Sequence, residues 1–473
     1  MYTYQDLEKV GEDERQRINF VSSVIAVHKN SDLYEMAYIA DQYDKKRNVT
    51  ILEYQKTVRT VTGTEVPDEW SPNYKTTRNF FNYFVTQENQ YLLGNGVSWD
   101  NDATAEKLGD DFDTQLQEAG HKALVGGVSF GFFNVDHLEV FGLLEFAPLY
   151  DEENGSLRAG VRFWQIDSTK PLRATLYEED GVTEFAWGLN DGNYADGMVY
   201  KPKRAYKLKT RTTEVDGTEI YDGDNYPSFP IVPLWGNKQH QSELVGIREQ
   251  IDAYDLIKNG FLNDLDNAQL YWVVKGAGGM DDFDLVHFLD RLRKLQIVDA
   301  EDGQDVSPVQ VQIPFEARER LLDRLERDLF RDAMALDVYT MRSGAVTATE
   351  IRAAYEPLNT KVDDYEYCVL KFIKGILSLT GIEDDPTFTR SALLNVQEDI
   401  TTVVSAAEYL SGEYLTEKIL TILGDGDKLD EVLKQREEQE QMAMEMMMAQ
   451  NGLTAPQEGP EIAEEDEGGE LNG

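Results

Sequence analysis

The segment FPIVPLWGNKQHQSELVGIREQIDAYDLIKNGFLNDL, residues 229–265, contains the change of pattern that decides the fold. Pro230 and Pro233 favour an extended backbone as far as Trp235. Beyond Ser242 the apolar residues recur every three or four positions, which places them on one face of a helix. These residues are Leu244, Ile247, Ile251, Tyr254, Ile257, Phe261 and Leu265. The spacing predicts a helix of about 25 residues, roughly 38 Å long at 1.5 Å per residue.

A second long helix is predicted after a small insert at 271–314. The insert begins with a strand-like Tyr271–Val274, which is followed by a glycine-rich turn. After Pro314 a leucine stripe predicts the buried face of the second helix, with Leu321, Leu325, Leu329 and Leu336. Two long helices on either side of a compact insert predict a hairpin-like stalk with the insert at its tip.

Upstream of residue 229 the sequence pattern changes from one typical of helices to one typical of strands. The pattern of Tyr74–Leu93 predicts a helix that stops at Gly94-Asn95-Gly96. From about 122 to 235, short apolar runs such as Leu138–Leu144 and Gly160–Trp164 alternate with turn residues, which predicts an antiparallel sheet of several strands. The predicted fold class is α+β, predominantly helical.

The region after the second long helix is predicted to be mainly helical. A loop around Gly344 leads into a helix that opens with a capping-box pattern at Thr347–Glu350. Pro357 lies inside that helix, where it removes one hydrogen bond and is expected to cause a kink. Residues 390–450 have a helical pattern, and the acidic segment from Asn451 onward is expected to be disordered.

Composition limits the function classes. The 473 residues include 45 Lys and Arg against 88 Asp and Glu, a formal net charge of -43. Such a surface repels phosphate, so tight sequence-independent nucleic-acid binding is not expected, and the favoured interpretation before any motif is considered is that the charge only keeps the protein soluble. The single cysteine, Cys368, sits among apolar residues and predicts a buried position in a protein that folds in a reducing cytoplasm. A signal peptide and an apolar stretch long enough to span a bilayer are both lacking, so no membrane association is expected.

The sequence offers little for catalysis. It has no GxxxxGK[ST] motif for ATP hydrolysis, and its five histidines show no HExxH spacing for zinc. Carboxylates are so numerous that no pair stands out as an acid and base. No catalytic residue, metal site or cofactor is therefore predicted.

The order of these parts, from about Asn79 to Leu433, resembles the portal, or head-to-tail connector, family of long-tailed bacteriophages. The resemblance is strongest at Phe229–Lys238, Ser242–Leu244 and Gln250–Asp255. These segments are similar to the family's extended proline-containing strand, an Asn, and the Ile-Asp-Ala-Tyr-like start of its stem. Tyr91–Gly96 and Gly344–Lys361 are supporting matches.

The resemblance implies a portal fold with an α/β wing, a long-helix stem, a small α/β clip and a helical crown. The implied boundaries are wing 1–240, stem helices 241–270 and 315–337, clip 271–314, channel loop and kinked wing helix 338–382, crown 383–450 and acidic tail 451–473. It also implies a homo-oligomeric ring, usually of twelve subunits, at one capsid vertex of a virion assembled in the bacterial cytoplasm. Double-stranded DNA would be packaged and ejected through it.

The resemblance further implies partners and contact residues. The clip would meet the packaging motor (terminase large subunit) and later the head-completion proteins, and the ring would also contact the major capsid or scaffolding protein. By position, the clip residues are Asp281, Asp282 and Asp284. The channel-loop residues, which could contact DNA, are Met341, Arg342, Ser343 and Gly344.

A basic stripe lies on the second long helix, where Arg320, Arg324, Arg327 and Arg331 recur at spacings of 4, 3 and 4. One hypothesis is a ring of weak phosphate contacts facing the channel. The favoured alternative is salt bridging to acidic residues within or between subunits.

Two rival functions remain open at this point. A phage adaptor that binds proteins without enclosing DNA would lack a channel wide enough for a duplex. An intracellular enzyme would show a concave site with perturbed titratable groups in the central sheet region.

Overall fold

The computed structural model divides the chain into two units, Met1–Ser391 and Ala392–Gly473. In the first unit the described residues are 1–59, 63–69, 71–190, 193–194, 197–213, 219–267, 272–275, 287, 305–308, 314–338 and 348–391. In the second they are 400, 403–405, 407, 411–423, 429, 432–436 and 442.

The N-terminus forms a series of capped helices. They are α1 (Tyr4–Val10), α2 (Glu14–Lys29), α3 (Asp32–Asp44) and α4 (Val49–Glu53), followed by the hairpin β1 (Thr57–Arg59) and β2 (Glu65–Pro67). The side chains of Thr3, Asp13 and Ser31 accept hydrogen bonds from backbone amides of the first turns of α1, α2 and α3. These bonds satisfy amides that have no partner inside the helix.

The next part is helical as well. It comprises α5 (Phe80–Leu93), β3 (Val97–Ser98), α6 (Asp102–Leu108) and α7 (Phe112–Gly126). The buried face of α5 carries Phe80, Phe81, Phe84, Tyr91 and Leu92. As predicted, α5 ends directly before Gly94.

The predicted antiparallel sheet region is confirmed as two sheets and smaller ribbons. The strands are β4 (Val128–Asn134), β5 (His137–Gly142), β6 (Phe146–Tyr150), β7 (Leu157–Trp164), β8 (Leu172–Glu178), β9 (Gly181–Trp187), β10 (Leu189–Asn190), β11 (Asn193–Tyr194), β12 (Met198–Arg204), β13 (Lys207–Thr213), β14 (Glu219–Asp224) and β15 (Ile231–Trp235). A five-stranded sheet has the order β12-β9-β8-β7-β6, and a three-stranded sheet has the order β15-β4-β5. All of these pairs are antiparallel.

Apolar side chains fill both faces of this region. One cluster joins α2, through Val21 and Ile25, to the five-stranded sheet, through Val161 and Leu176. A second cluster lies between the two sheets, where the rings of Phe130 and Phe146 are 4.5 Å apart. Gly160 is required there, because a Cβ at this position would lie 2.1 Å from the ring of Phe146.

Two long helices follow β15 with a small ribbon between them. They are α8 (Arg248–Asn267) and α9 (Phe315–Asp332), and the ribbon consists of β16 (Trp272–Lys275) and β17 (Asp305–Pro308). The first helix begins later than the sequence pattern suggested, at 248 instead of near 242. The cause is Gly246, whose φ of +94° interrupts the helix although the apolar spacing continues through it.

The helix predicted over Tyr74–Leu93 also begins later, at Phe80. The residues before it lie along α8 and bond to its side chains. The backbone amide of Thr76 donates to Asn259 Oδ1 at 2.9 Å, and that of Arg78 donates to Asp255 Oδ1 at 3.0 Å. Tertiary hydrogen bonds therefore replace the helical ones.

The last long helix of the first unit is α10 (Ala348–Thr380), which continues through Pro357. It packs on β15, where Gly375 lies against Val232, and on β4, where the ring of Phe372 covers Gly131. Beyond α10 the strand β18 (Thr387–Phe388) pairs with β3, so the chain up to Ser391 belongs to the first unit.

The second unit contains α11 (Gly412–Leu423). Arg436 donates to Thr416 Oγ1 at 3.1 Å within this unit. Helix is the predicted state here, and the described segments 403–405 and 432–436 are also helical. The predicted acidic tail at 451–473 lies outside the described residues.

Candidate functional site

The paired helices α8 and α9 are the main candidate for a functional surface. Near their far ends the rings of Phe261 and Phe315 are 5.6 Å apart, and Arg318 Nη2 lies 2.5 Å from Asp264 Oδ2. At the other end Leu329 of α9 is fully buried. The ring of Phe330 contacts that of Phe84 on α5 at 5.2 Å. The pair is therefore held together along its length and fixed at its base.

The Ile-Asp-Ala-Tyr-Asp stretch of α8 anchors this base. Asp252 accepts hydrogen bonds from Tyr43 Oη at 2.5 Å and from Thr50 Oγ1 at 2.8 Å. Asp255 accepts one from Asn48 Nδ2 at 2.6 Å, and burial raises its pKa to about 6. Ile251 is fully buried beside them. The motif thus binds α8 to α3 and α4.

The turn between β15 and α8 explains the Gly-Asn part of the sequence signature. A Cβ on Gly236 would lie 2.6 Å from the carbonyl oxygen of Ala123, so only glycine fits. Asn237 Nδ2 donates to the carbonyl of Gln241 at 2.8 Å and to Glu243 Oε1 at 2.7 Å. These bonds set the direction in which the chain enters α8.

A buried charged cluster lies where these elements meet. Lys361 Nζ of α10 is 2.7 Å from Glu88 Oε2 of α5 and 2.8 Å from Glu243 Oε2. Burial raises the pKa of Glu88 to about 7 despite the nearby ammonium. Burial alone would lower the pKa of Lys361, but the two carboxylates raise it instead. Lys361 therefore stays charged while Glu88 can take up a proton near neutral pH.

The sequence reasoning did not identify this cluster, although a signal for it exists. Lys361 continues the apolar stripe that contains Leu358 and Tyr365, and Glu88 continues the stripe of α5. A charged residue in line with buried apolar positions has to be paired inside the protein.

The four arginines of the predicted basic stripe are all exposed on α9. Arg320 lies 3.8 Å from Glu316, and Arg324 and Arg331 lie 3.6 and 3.9 Å from Asp328. Arg327 Nε donates to the backbone carbonyl of Asp323 at 3.1 Å. Ion pairs this long and this exposed stabilise a helix only slightly.

The remaining predicted contact residues belong to the clip and to the channel loop. Asp281, Asp282 and Asp284 of the clip and Met341, Arg342, Ser343 and Gly344 of the loop lie outside the described residues. Pro357 lies within α10, where it lacks the amide hydrogen that would close one helical turn.

Within the described part of the chain, no group of His, Cys, Asp and Glu side chains is arranged to hold a metal ion. The helices described there also include none long and apolar enough to cross a membrane.

Comparison with known proteins identifies relatives over most of the chain. A family model described as "Phage portal protein, SPP1 Gp6-like" matches residues 22–446. The chain is 24% identical over 382 residues to the portal protein of Bacillus phage SPP1, covering 74% of this chain and 73% of that protein. It is 28% identical over 185 residues to the portal protein of Clostridium phage phiCD119, covering 37% of this chain and 41% of that protein.

A solved structure is similar at low identity. It is a chain from the neck of an empty gene transfer agent (GTA) particle, with 11% identity and a TM-score of 0.40. The match covers 73% of this chain and 90% of that chain. The family match alone spans far more than half of the sequence, and the chain therefore belongs to the phage portal protein family, SPP1 Gp6-like.

Proposed function

We propose that this chain is one subunit of a closed ring at a capsid vertex, and that double-stranded DNA is packaged and ejected through the central channel. The observation that carries the proposal is the family match over residues 22–446 together with the paired helices α8 and α9, which the family resemblance assigns to the stem. The resemblance also implies twelve subunits, a location in the virion and assembly in the bacterial cytoplasm. No catalytic activity is part of the proposal.

The regions of the subunit follow from the same resemblance. The wing corresponds to 1–240 with α10, the stem to 241–270 and 315–337, the clip to 271–314 and the crown to 383–450. Residues 383–391 of this last range belong to the first unit of the chain. The β16–β17 ribbon between the stem helices is in keeping with a small clip.

The strong negative charge supports a channel that does not bind DNA tightly. Twelve copies at -43 carry -516 formal charges. Wherever these charges face the channel, they repel the phosphates and leave no deep binding minimum, so the DNA can slide.

The arginines of α9 are the exception within this acidic background. Their in-helix ion pairs of 3.6 to 3.9 Å are weak enough to be exchanged for other partners. We propose salt bridges with acidic residues of the same or the neighbouring subunit as their main role. Contact with DNA phosphates is the second candidate, and it predicts altered DNA retention when a charge is reversed.

The clip is proposed to bind the packaging motor and then the head-completion proteins. Replacing Asp281, Asp282 and Asp284 by asparagine should leave the ring assembled and weaken capture of the terminase large subunit. A matched control replaces the exposed acids Glu152 and Glu153 of the wing by glutamine. Equal binding by the clip variant, the control and the wild type would refute this assignment.

Mass photometry with negative-stain imaging of the purified chain tests the ring itself. Twelve copies of 53.8 kDa give about 646 kDa. The expected result is a closed ring of about this mass with a central opening. A particle that stays at the mass of one chain, or an open oligomer without a hole, would refute the proposed function and favour an adaptor.

A further inference from the structure

Lys361 joins more parts of the first unit than an ordinary buried ion pair does. Besides Glu88 and Glu243, its ammonium donates to the backbone carbonyl of Ala333 at 3.3 Å. The lysine side chain is 16% exposed, and those of Glu88 and Glu243 are 2% and 17% exposed. All of these groups are therefore largely shielded from water, where charge interactions are strong.

Each partner marks the end or the side of a different element. Ala333 is the C-cap of α9, whose last carbonyls carry partial negative charge that favours a cation. Glu243 lies in the turn that leads into α8, and its amide donates to the carbonyl of Leu124 at 3.0 Å. Glu88 belongs to α5. One ammonium on α10 thus touches the bases of both paired helices and the helix packed beneath them.

A neighbouring contact fixes the same junction from α5. Gln87 Nε2 donates to the carbonyl of Leu336 at 3.0 Å, and the amide of Leu336 donates to Gln87 Oε1 at 2.8 Å. The rings of Tyr91 and Tyr355 stack 5.7 Å apart and hold α10 against α5. The junction is therefore bonded from α5 as well as from α10, and Lys361 supplies its central charge.

We propose that Lys361 is a positioning residue that couples α10 to the bases of both α8 and α9, so that a displacement of the paired helices is passed to the helix packed on the central sheet. The charges on the other elements fit this role. Glu88 faces the ammonium from α5 and Glu243 from the turn before α8, while Tyr365 of α10 lies near Glu88. Losing the ammonium would leave two carboxylates and a carbonyl without their shared partner.

Hydrogen–deuterium exchange followed by mass spectrometry tests this coupling in the full-length chain. In Lys361→Met, amides of 328–336, 244–252 and 355–365 should all exchange at least about tenfold faster, while 128–134 and 172–178 stay unchanged. Lys361→Arg keeps the charge and should retain the wild-type pattern. The control is Lys374→Met on the same helix, because Lys374 is 61% exposed where it pairs with Asp385 at 3.1 Å.

The outcomes separate coupling from ordinary stabilisation. Faster exchange confined to α10, or spread evenly over the strands as well, would overturn the proposal. So would equal loss of protection in Lys361→Arg and Lys361→Met, because size would then matter and charge would not.

A second variant keeps the test decisive if Lys361→Met fails to fold. Glu243→Gln removes the negative charge that Lys361 contacts in the turn before α8 and keeps the contacts with Glu88 and Ala333. Hydrogen exchange should therefore accelerate at 244–252 and remain slow at 328–336. Equal acceleration of both segments, or none at 244–252, would overturn the proposal. The measurement does not depend on DNA or on ring closure, so its failure is distinguishable from failure of the proposed function.

Discussion

Glu88→Gln should abolish a pH dependence of stability that the wild-type chain derives from one buried carboxyl group. Burial raises the pKa of Glu88 from its ordinary 4.5 to about 7. The folded chain therefore keeps a proton that the unfolded chain has already released between these two pH values. Stability falls as pH rises through this window, and the loss is complete above about pH 7.

The magnitude follows from the size of the pKa shift. One pKa unit corresponds to about 1.4 kcal/mol, so a shift from 4.5 to about 7 corresponds to about 3 kcal/mol as an upper bound. Glutamine resembles the protonated carboxyl group in shape and charge. The variant should therefore be more stable than the wild type by up to about 3 kcal/mol at pH 8, and by less than about 1 kcal/mol at pH 5.

Urea unfolding at pH 5, 6, 7 and 8, followed by tryptophan fluorescence at equal chain concentration, measures this difference. Glu118→Gln is the matched control, because Glu118 is about half exposed in its pair with Lys122. The control should follow the wild type at every pH. If Glu88→Gln were less stable than the wild type at pH 8, Glu88 would be an ionised partner of Lys361 that stabilises the fold, and the reasoning would be refuted.

Three further changes test other parts of the structure. Arg324→Glu should leave the mass of the ring unchanged and the free energy of unfolding within about 0.5 kcal/mol of the wild type, because this arginine is 77% exposed. The amount of nuclease-protected DNA in filled heads then shows whether the basic stripe touches DNA. Leu329→Ala should lower the free energy of unfolding by about 2–5 kcal/mol in urea titrations. Leu321 was predicted on the buried face of the same helix but is 43% exposed in the structure, so Leu321→Ala should cost less than about 1 kcal/mol. Gly120→Ala should lower the melting temperature by several degrees in calorimetry, because the new Cβ would lie 1.9 Å from Tyr365 Oη; an unchanged value would mean that the tyrosine moves at no cost.

The order of elements was predictable because each depends on local pattern. The prolines before Trp235 and the apolar spacing after Ser242 predicted a strand followed by a long helix, and the structure has β15 followed by α8. The turn residues between 122 and 235 predicted antiparallel strands for the same reason. These elements can be predicted without information about distant parts of the chain.

The errors occurred where backbone conformation or distant contacts override the pattern. Apolar spacing alone cannot show that Gly246 adopts a positive φ, so the predicted start of α8 was too early. The spacing before Phe80 looked helical, yet Thr76 and Arg78 bond to side chains of α8 almost two hundred residues away. Such long-range hydrogen bonds leave no local trace in the sequence.

The charged cluster around Lys361 shows the same limit. Its position on an apolar stripe indicates a buried partner, but the partners Glu88 and Glu243 come from segments far apart in the chain. The sequence can therefore indicate that a buried pair exists without naming its members.

A cryo-EM reconstruction of the purified, assembled chain would show which helices surround the central opening and how wide that opening is. From the proposed function we expect a closed ring in which the α8–α9 pairs of all subunits surround an opening at least about 20 Å wide, enough for a DNA duplex. A compact monomer, or a ring whose opening is narrower than a duplex or is lined by other elements, would contradict it.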